Sequence, residues 1–255
     1  MRVLKLGGRA QSSPQLAAAI AEAWDASPGK LCVVHGGGEE VSAMQRALGR
    51  ETQFVDGRRV TTGNDIELLR MILSGSVNKR LVNAFIAAGA PALGLSGEDN
   101  RLIGAEPIDM DSLGHVGEPI DINLALLTML LRARVLPVIS PVAFDVSTVD
   151  GGALNVNGDD AAAAIASALN AQELLFISDV EGVYGDDGMP ITTLDAERAR
   201  ELIASGTAAG GMIAKLQAAE RALAGGVERV RICDVTGLDD PERGTLITQS
   251  AGVAS

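Results

Sequence analysis

The sequence predicts an α/β fold, a mostly parallel sheet covered by helices on both faces. Strand-like apolar runs alternate with helical ones along the 255 residues, and that order builds parallel strands joined by helical crossovers. Hydrophobic residues make up 47% of the chain and aromatics only 2%. The core is therefore built from Ala, Val, Leu and Ile, which suits helices packed on a parallel sheet better than an aromatic-lined sandwich. No internal repeat or low-complexity linker interrupts the pattern.

Val3–Leu6 reads as the first strand. A helix follows over Pro14–Trp24, with Leu16, Ile20 and Trp24 at helical spacing. Leu31–Val34 is a strand leading to a helix from Glu39 to Leu48. Asp65–Leu73 and Val77–Ala88 read as two helices, the second stopped by Gly89 at a helix C-terminal position. Ala92–Leu95 is a short strand, Leu124–Ala133 a helix and Leu136–Ser140 a buried strand. Helices over Asp159–Leu169, Asp195–Ser205 and Met212–Ala224 alternate with strands at Leu174–Ser178, Arg229–Cys233 and Thr245–Thr248. Residues 96–121 and 145–157 are polar and irregular, and read as small hairpins or lids outside the sheet. Right-handed crossovers place the loops that follow the strands along one edge, where ligands bind.

Several function classes fall away. A formal net charge of −12 with no Lys/Arg block does not suit nucleic-acid binding, which needs clustered positive charge. No apolar run is long enough to span a membrane. The N-terminus enters a strand within two residues and carries no basic-then-apolar leader, so a cytoplasmic protein is expected. Cys32 and Cys233 sit inside apolar strand-like runs and read as buried free thiols.

The chemistry collects at glycines. Lys5-Leu6 runs into Gly7-Gly8, and the strand ending at His35 runs into Gly36–Gly38. Glycine after a strand lets backbone N–H groups close around an anion, and a following helix N-terminus favours negative charge. A second lysine, Lys215, follows Gly210-Gly211, and no G-x-x-x-x-G-K-[ST] motif occurs. Taken alone, Lys5 is either an outward residue of an edge strand or an ammonium aimed into the glycine loop. Asp56–Thr61 carries the pair Arg58-Arg59, either a solvated face or a fork for a carboxylate. Asn155-Val156-Asn157-Gly158-Asp159-Asp160 is the densest polar motif. Asn155 and Asn157 point the same way from an extended segment, and Asp159 or Asp160 is placed to cap the helix that follows. Ser178–Tyr184 reads either as an ordinary strand-ending turn or as a nucleotide loop. His35 lacks partners at metal-ligand spacing.

In this order the motifs resemble the amino acid kinase family over nearly the whole chain. The resemblance includes Lys5–Gly8, His35–Gly38, Gly57–Thr61, Gly75–Lys79, Gly94–Gly97, Gly114–Gly117, Pro137–Ser140, Asn155–Asp160, Ser178–Val183 and Gly211–Lys215. It implies an open three-layer αβα sandwich of two lobes. Residues 1–170 would bind an acyl amino acid and form a homodimer, and residues 171–255 would bind ATP. Within the family, the chain looks most like members that phosphorylate the side-chain carboxylate of N-acetyl-L-glutamate. That resemblance implies Lys5, Lys215 and Asp159 as catalytic residues, with Asp159 between the lysines. Gly8 and Gly37 would donate N–H groups to the phosphoryl group. Gly37, Gly38, Arg59 and Asn155 would hold the acceptor. Asp179, Val180, Glu181, Gly182, Val183, Tyr184, Ala209, Gly210 and Gly211 would line the nucleotide pocket. No carboxylates that hold Mg²⁺ directly are evident, so the metal would ride on ATP oxygens and water.

There are departures. The chain starts at its first strand, without the extra N-terminal helix of arginine-inhibited relatives, and residues 234–244 are a short connection; both imply an unregulated homodimer. Arg9 stands where relatives often carry a small residue, and the sequence offers no account of it. Members acting on N-acetyl-aminoadipate are the nearest alternative; they often show Asn-Thr-Asp-Gly-Asp where this chain has Asn155–Asp159. An N-succinyl acceptor stays open, as does a non-catalytic sensor, although the sensor conflicts with the presence of Lys5, Asp159 and Lys215.

Overall fold

The computed structural model describes residues 1–55 and 57–249; Asp56 of the arginine loop and the final six residues, expected in the second lobe, lie outside them. In chain order the elements begin with β1 (Arg2–Leu6), α1 (Leu16–Ala26), β2 (Leu31–His35), α2 (Gly38–Ala47), β3 (Phe54–Val55) and β4 (Arg58–Arg59). Next come α3 (Gly63–Leu69), α4 (Asn78–Ala87), β5 (Ala92–Gly97), β6 (Ile103–Pro107), β7 (Val116–Ile122), α5 (Leu124–Arg132) and β8 (Leu136–Asp145). The rest are β9 (Ala153–Val156), α6 (Gly158–Ala168), β10 (Glu173–Ile177), β11 (Thr193–Asp195), α7 (Ala196–Ala204), α8 (Gly211–Ala224), β12 (Arg229–Cys233) and β13 (Thr245–Thr248).

One sheet runs through the molecule in the order β11-β13-β12-β10-β1-β2-β8-β6-β7-β9, with β5 also paired to β8. β1 lies between β2 and β10 and is parallel to both. Its chain therefore leaves toward β2 on one side while β10 returns on the other. Such a reversal of strand order opens a crevice at the C-terminal ends of the strands. Because β1 is central, Lys5 is not an edge-strand lysine. Two aliphatic cores flank the sheet. One packs Ile165, Ala166, Ala219 and Leu223 of α6 and α8 against it; the other packs Ile20 and Trp24 of α1, Leu69 of α3 and Phe85 of α4. The αβα layering follows, since each parallel strand must be covered on both faces.

Two expectations need correction. Helices 65–73 and 77–88 do not separate: α3 and α4 join through a π-helical stretch, Arg70–Val77. Ser74-Gly75-Ser76 weakens α-helical geometry, but the backbone bonds shift to a wider turn instead of breaking. That stretch seats Leu73, Val77 and Ser74 against the sheet, with Ser74 Oγ 2.7 Å from Ser140 Oγ. Nor are residues 96–121 and 145–157 lids. β6 and β7 form an antiparallel hairpin, but β7 pairs β9, and both β6 and β9 pair the long strand β8. Their inward residues Ala105, Val116 and Leu154 are buried. Polar composition hid strands with only one apolar face.

The short 234–244 connection folds around a buried guanidinium. Arg231 donates to Glu173 Oε1 and to the carbonyls of Gly237, Asp240 and Arg243 at 2.7–3.1 Å. Among the described residues, no helix is long and apolar enough to cross a membrane.

Candidate active site

Three strands and the helices that follow deliver the site residues to one sheet edge. Lys5 comes from the end of β1, Gly8 from its loop, Gly36–Gly38 from the end of β2, and Asn155 and Asp159 from β9 and the start of α6. Lys215 comes from the second turn of α8. Lys5, Gly8, Gly37, Gly38, Arg59, Asn155, Asp159 and Lys215 line one cavity of about 260 Å³. It adjoins a wider cleft of about 800 Å³, reached by Gly8, Arg9, Asp179, Val180, Gly211 and Lys215.

The two lysines are held differently. Lys5 is 7% exposed, and its Nζ lies 2.8 Å from Asp159 Oδ1. That carboxylate oxygen has no aligned hydrogen-bond donor, so the contact is an ion pair held by charge. Lys215 is also buried, but among the described residues its one hydrogen bond is to its own helix, Gly211 O at 3.4 Å. Burial lowers the Lys215 pKa, opposed by the nearby Asp159 and reinforced by Lys5. Asp159 thus pairs directly with one lysine and acts on the other only through space. The cap of α6 is neither aspartate: Asn157 Oδ1 accepts from Asp159 N at 2.8 Å. Asparagine in extended geometry takes the capping position and leaves both carboxylates to face cations.

Arg59 is set in a polar cage. Its guanidinium donates to Gln45 Oε1, Thr52 Oγ1, Gly38 O and Ser42 Oγ, and stacks on Phe54 with 5.0 Å to the ring centroid. Among the described residues no carboxylate pairs with it, so a fixed cation with neutral partners faces the cavity. Asn155 Nδ2 donates to Thr61 Oγ1 at 2.9 Å, and Thr61 Oγ1 donates to Arg59 O.

The glycines divide into two kinds. A Cβ on Gly37 would come within 2.7 Å of Leu73 and 3.2 Å of Val77, so the long helix requires glycine there. A Cβ on Gly8 would meet nothing within 4 Å; its Cα faces open cavity. Beneath the second loop, His35 Nδ1 donates to Gly36 O at 2.9 Å, and its Nε2 accepts from Asn78 Nδ2 at 3.0 Å. Burial pushes the His35 pKa down to about 4, so the ring is neutral with its proton on Nδ1. Asn78 also donates to Val138 O, which ties the helix to β8.

The nucleotide-loop residues do not gather as a set. Asp179 and Val180 line the wide cleft, Glu181 and Tyr184 are exposed, and Val183 is buried in the core. Gly182 and Val183 are pinned from below by Thr245, whose Oγ1 accepts from Val183 N at 2.8 Å. Ala209 is exposed, Gly210 opens α8 with a positive φ of 55°, and Gly211 reaches both cavities. Arg9 acquires a place: its Nε lies 3.0 Å from Glu39 and its Nη1 3.0 Å from Asp179, so it bridges the loop after β1, the first turn of α2 and the loop after β10. Sequence reasoning also missed Ser42 and Gln45, whose only signal is their spacing one helical turn apart on α2.

A family model described as "Amino acid kinase family" matches residues 1–234. An acetylglutamate kinase of Paracoccus denitrificans is 46% identical over 202 residues, 79% of this chain and 66% of that one. This chain thus spans about two thirds of that relative's length. An acetylglutamate kinase of Ruegeria pomeroyi is 42% identical over 238 residues, 91% of this chain and 80% of that one. Among solved structures, smu.665 from Streptococcus mutans superposes with a TM-score of 0.86 at 28% identity, covering 97% of this chain and 98% of that one.

Proposed function

The chain belongs to the amino acid kinase family, and from that premise we propose that it transfers the γ-phosphoryl group of MgATP to the side-chain carboxylate of N-acetyl-L-glutamate. The product is N-acetyl-L-glutamyl 5-phosphate, and the reaction is the second step of arginine biosynthesis. The observation that carries this reading is the convergence of Lys5, Lys215 and Gly8 where a small cavity containing Arg59 meets the wide cleft.

A carboxylate acceptor is already ionised and needs no general base. The work is to bring two anions into line and to neutralise the charge that spreads over the phosphoryl oxygens. Lys5, oriented by Asp159, and Lys215 supply that neutralisation from opposite sides. The N–H groups of Gly8 and Gly37 donate to the same oxygens, and Gly8 leaves open space at its Cα for a phosphoryl group. Arg59 takes the acceptor's α-carboxylate and Asn155 its acylated nitrogen. The acceptor lobe is residues 1–170, and residues 171–255 take the nucleotide. Among the described residues no three His, Cys, Asp or Glu side chains gather, so this reading keeps Mg²⁺, which supplies further charge neutralisation, on the nucleotide. Met71, Ile86 and Leu93 stand exposed on the acceptor lobe and support a homodimer through that lobe. The reaction is assigned to the cytoplasm.

The test measures ADP release with hydroxylamine trapping of the acyl phosphate, using N-acetylglutamate, N-succinylglutamate, N-acetyl-aminoadipate and glutamate. Turnover is expected with N-acetylglutamate, and cross-activity on the longer homologue is expected because one methylene is worth only about 1–3 kcal/mol. No turnover with any acceptor would sink the reading. Arg59→Ala is expected to raise the acceptor KM by about 10- to 100-fold, the loss of a charged hydrogen bond, and an unchanged KM removes Arg59 from the acceptor site.

A further inference from the structure

Asp160 is a buried carboxylate that the reaction above does not use. Its side chain is 5% exposed and lies between two guanidinium groups. Arg58 Nη1 is 3.1 Å from Oδ2, and Arg221 Nη2 donates to Oδ1. The three residues belong to three different elements. Arg58 is on the β3–β4 hairpin, next to Arg59; Asp160 is one residue after Asp159 in α6; Arg221 is on α8, which carries Lys215. Adjacent residues on a strand face opposite ways, so Arg59 reaches the α2 side while Arg58 reaches back to α6.

The hairpin is anchored at its base by buried Thr61, whose N–H donates to Leu113 O and whose carbonyl accepts from His115 N; its tip has fewer holds. Each strand is two residues long, the pair stands apart from the main sheet, and Phe54 and Val55 are exposed. A two-stranded hairpin is marginal by itself, so beyond the Thr61 anchor the orientation of its tip is set by the polar contacts of its two arginines. A small cavity of about 230 Å³, lined by Arg58, Asp160, Gly210 and Ile213 among others, separates it from α8. The ion pairs span that gap.

We propose that Asp160 is a positioning residue that fixes the acceptor hairpin to the helix bearing Lys215, and so makes acceptor and nucleotide binding interdependent. The inference rests on the kinase reading. A ligand that orders α8 restrains Arg221, hence Asp160 and Arg58, hence the hairpin carrying Arg59; by linkage the effect is reciprocal.

The experiment is calorimetric titration of N-acetyl-L-glutamate into the protein with and without saturating MgADP, alongside steady-state kinetics and thermal melting. In the unaltered protein MgADP is expected to tighten acceptor binding at least fivefold. Arg221→Gln, at a side chain 43% exposed, is expected to keep the melting temperature, cut that factor below twofold and raise the acceptor KM while kcat holds within threefold. Arg221→Lys, which keeps the charge, is expected to restore the coupling. Asp160→Asn leaves two guanidinium groups facing each other and is expected to lose both coupling and stability. Adding Arg221→Gln to it recovers stability but not coupling. The inference is overturned if the unaltered protein shows no coupling, or if the variants lose only stability while coupling and KM stay unchanged. Unaltered protein that binds neither ligand would overturn the kinase reading as well.

Discussion

The two sides of the crevice, which the proposed reaction assigns to acceptor and to nucleotide, each offer a buried lysine, but they are built in different ways. On the acceptor side Lys5 is fixed by a strand in the middle of the sheet and by Asp159 at 2.8 Å, and Arg59 is caged by Gln45, Ser42 and Gly38. On the nucleotide side, among the described residues, Lys215 has only a carbonyl of its own helix, and the neighbouring loop presents Asp179 and Val180 to a wide cleft. The first region is held by contacts within the protein itself. The second keeps a partly desolvated cation with unfilled hydrogen-bonding capacity, which a polyanion would complete.

The largest expected effect separates the two lysines. Lys5→Ala and Lys215→Ala should each lower kcat by about 10²–10³-fold, the scale of losing one transition-state donor, with little change in either KM. Their stabilities should diverge. Removing Lys5 strands the buried Asp159 carboxylate and should cost about 3–5 kcal/mol, whereas removing Lys215 relieves a buried cation and should leave stability unchanged or raised. Urea denaturation of both variants decides this; equal destabilisation would erase the distinction drawn above.

A pH series probes the acceptor side next. His35 is neutral in the fold with its pKa lowered to about 4 from 6.5. The unfolded chain binds the extra proton first. The stabilisation is therefore complete above pH 6.5 and is lost as pH falls to about 4, amounting to about 3 kcal/mol. His35→Asn should flatten that part of the stability profile. A variant whose unfolding free energy keeps the same slope between pH 6.5 and 4 assigns the loss to other groups.

The smallest effect on the fold comes from Gly8. Gly8→Ala adds a methyl group in open space and should change stability by less than about 1 kcal/mol, while reducing turnover. Gly37→Ala drives a methyl into Leu73 and Val77 and should cost about 1–3 kcal/mol. Melting temperatures and kcat measured together test whether one glycine serves the ligand and the other the fold.

Much of the fold is legible because strand and helix patterns are local. Val3–Leu6, Leu31–Val34 and Arg229–Cys233 read as strands and form strands. The π-helical joint was not legible, because Ser74-Gly75-Ser76 looks like a break unless the sheet that Leu73 and Val77 pack against is known. β6, β7 and β9 were lost for a related reason: their pairing through β8 is long-range and their outward faces are polar.

In the site, Lys5, Gly8, Arg59, Asn155, Asp159 and Lys215 were singled out in glycine, arginine and asparagine–aspartate motifs whose roles only the family resemblance assigned, and they share one cavity. The lysine partners of Asp159 came only from the family resemblance, and those of Asp160 were not accessible. That Asn157 rather than an aspartate caps α6 depends on backbone angles, and that Asp160 meets Arg58 and Arg221 depends on contacts 102 and 61 residues away along the chain. By itself the sequence determined where strands end in glycine and which side chains carry charge, since both are properties of short segments. The tertiary structure alone decided that Lys5 is central, that Asp159 pairs with Lys5 and not directly with Lys215, and that Asp160 meets guanidinium groups from β4 and α8. A buried charge takes whichever partner the packing of distant elements brings within reach.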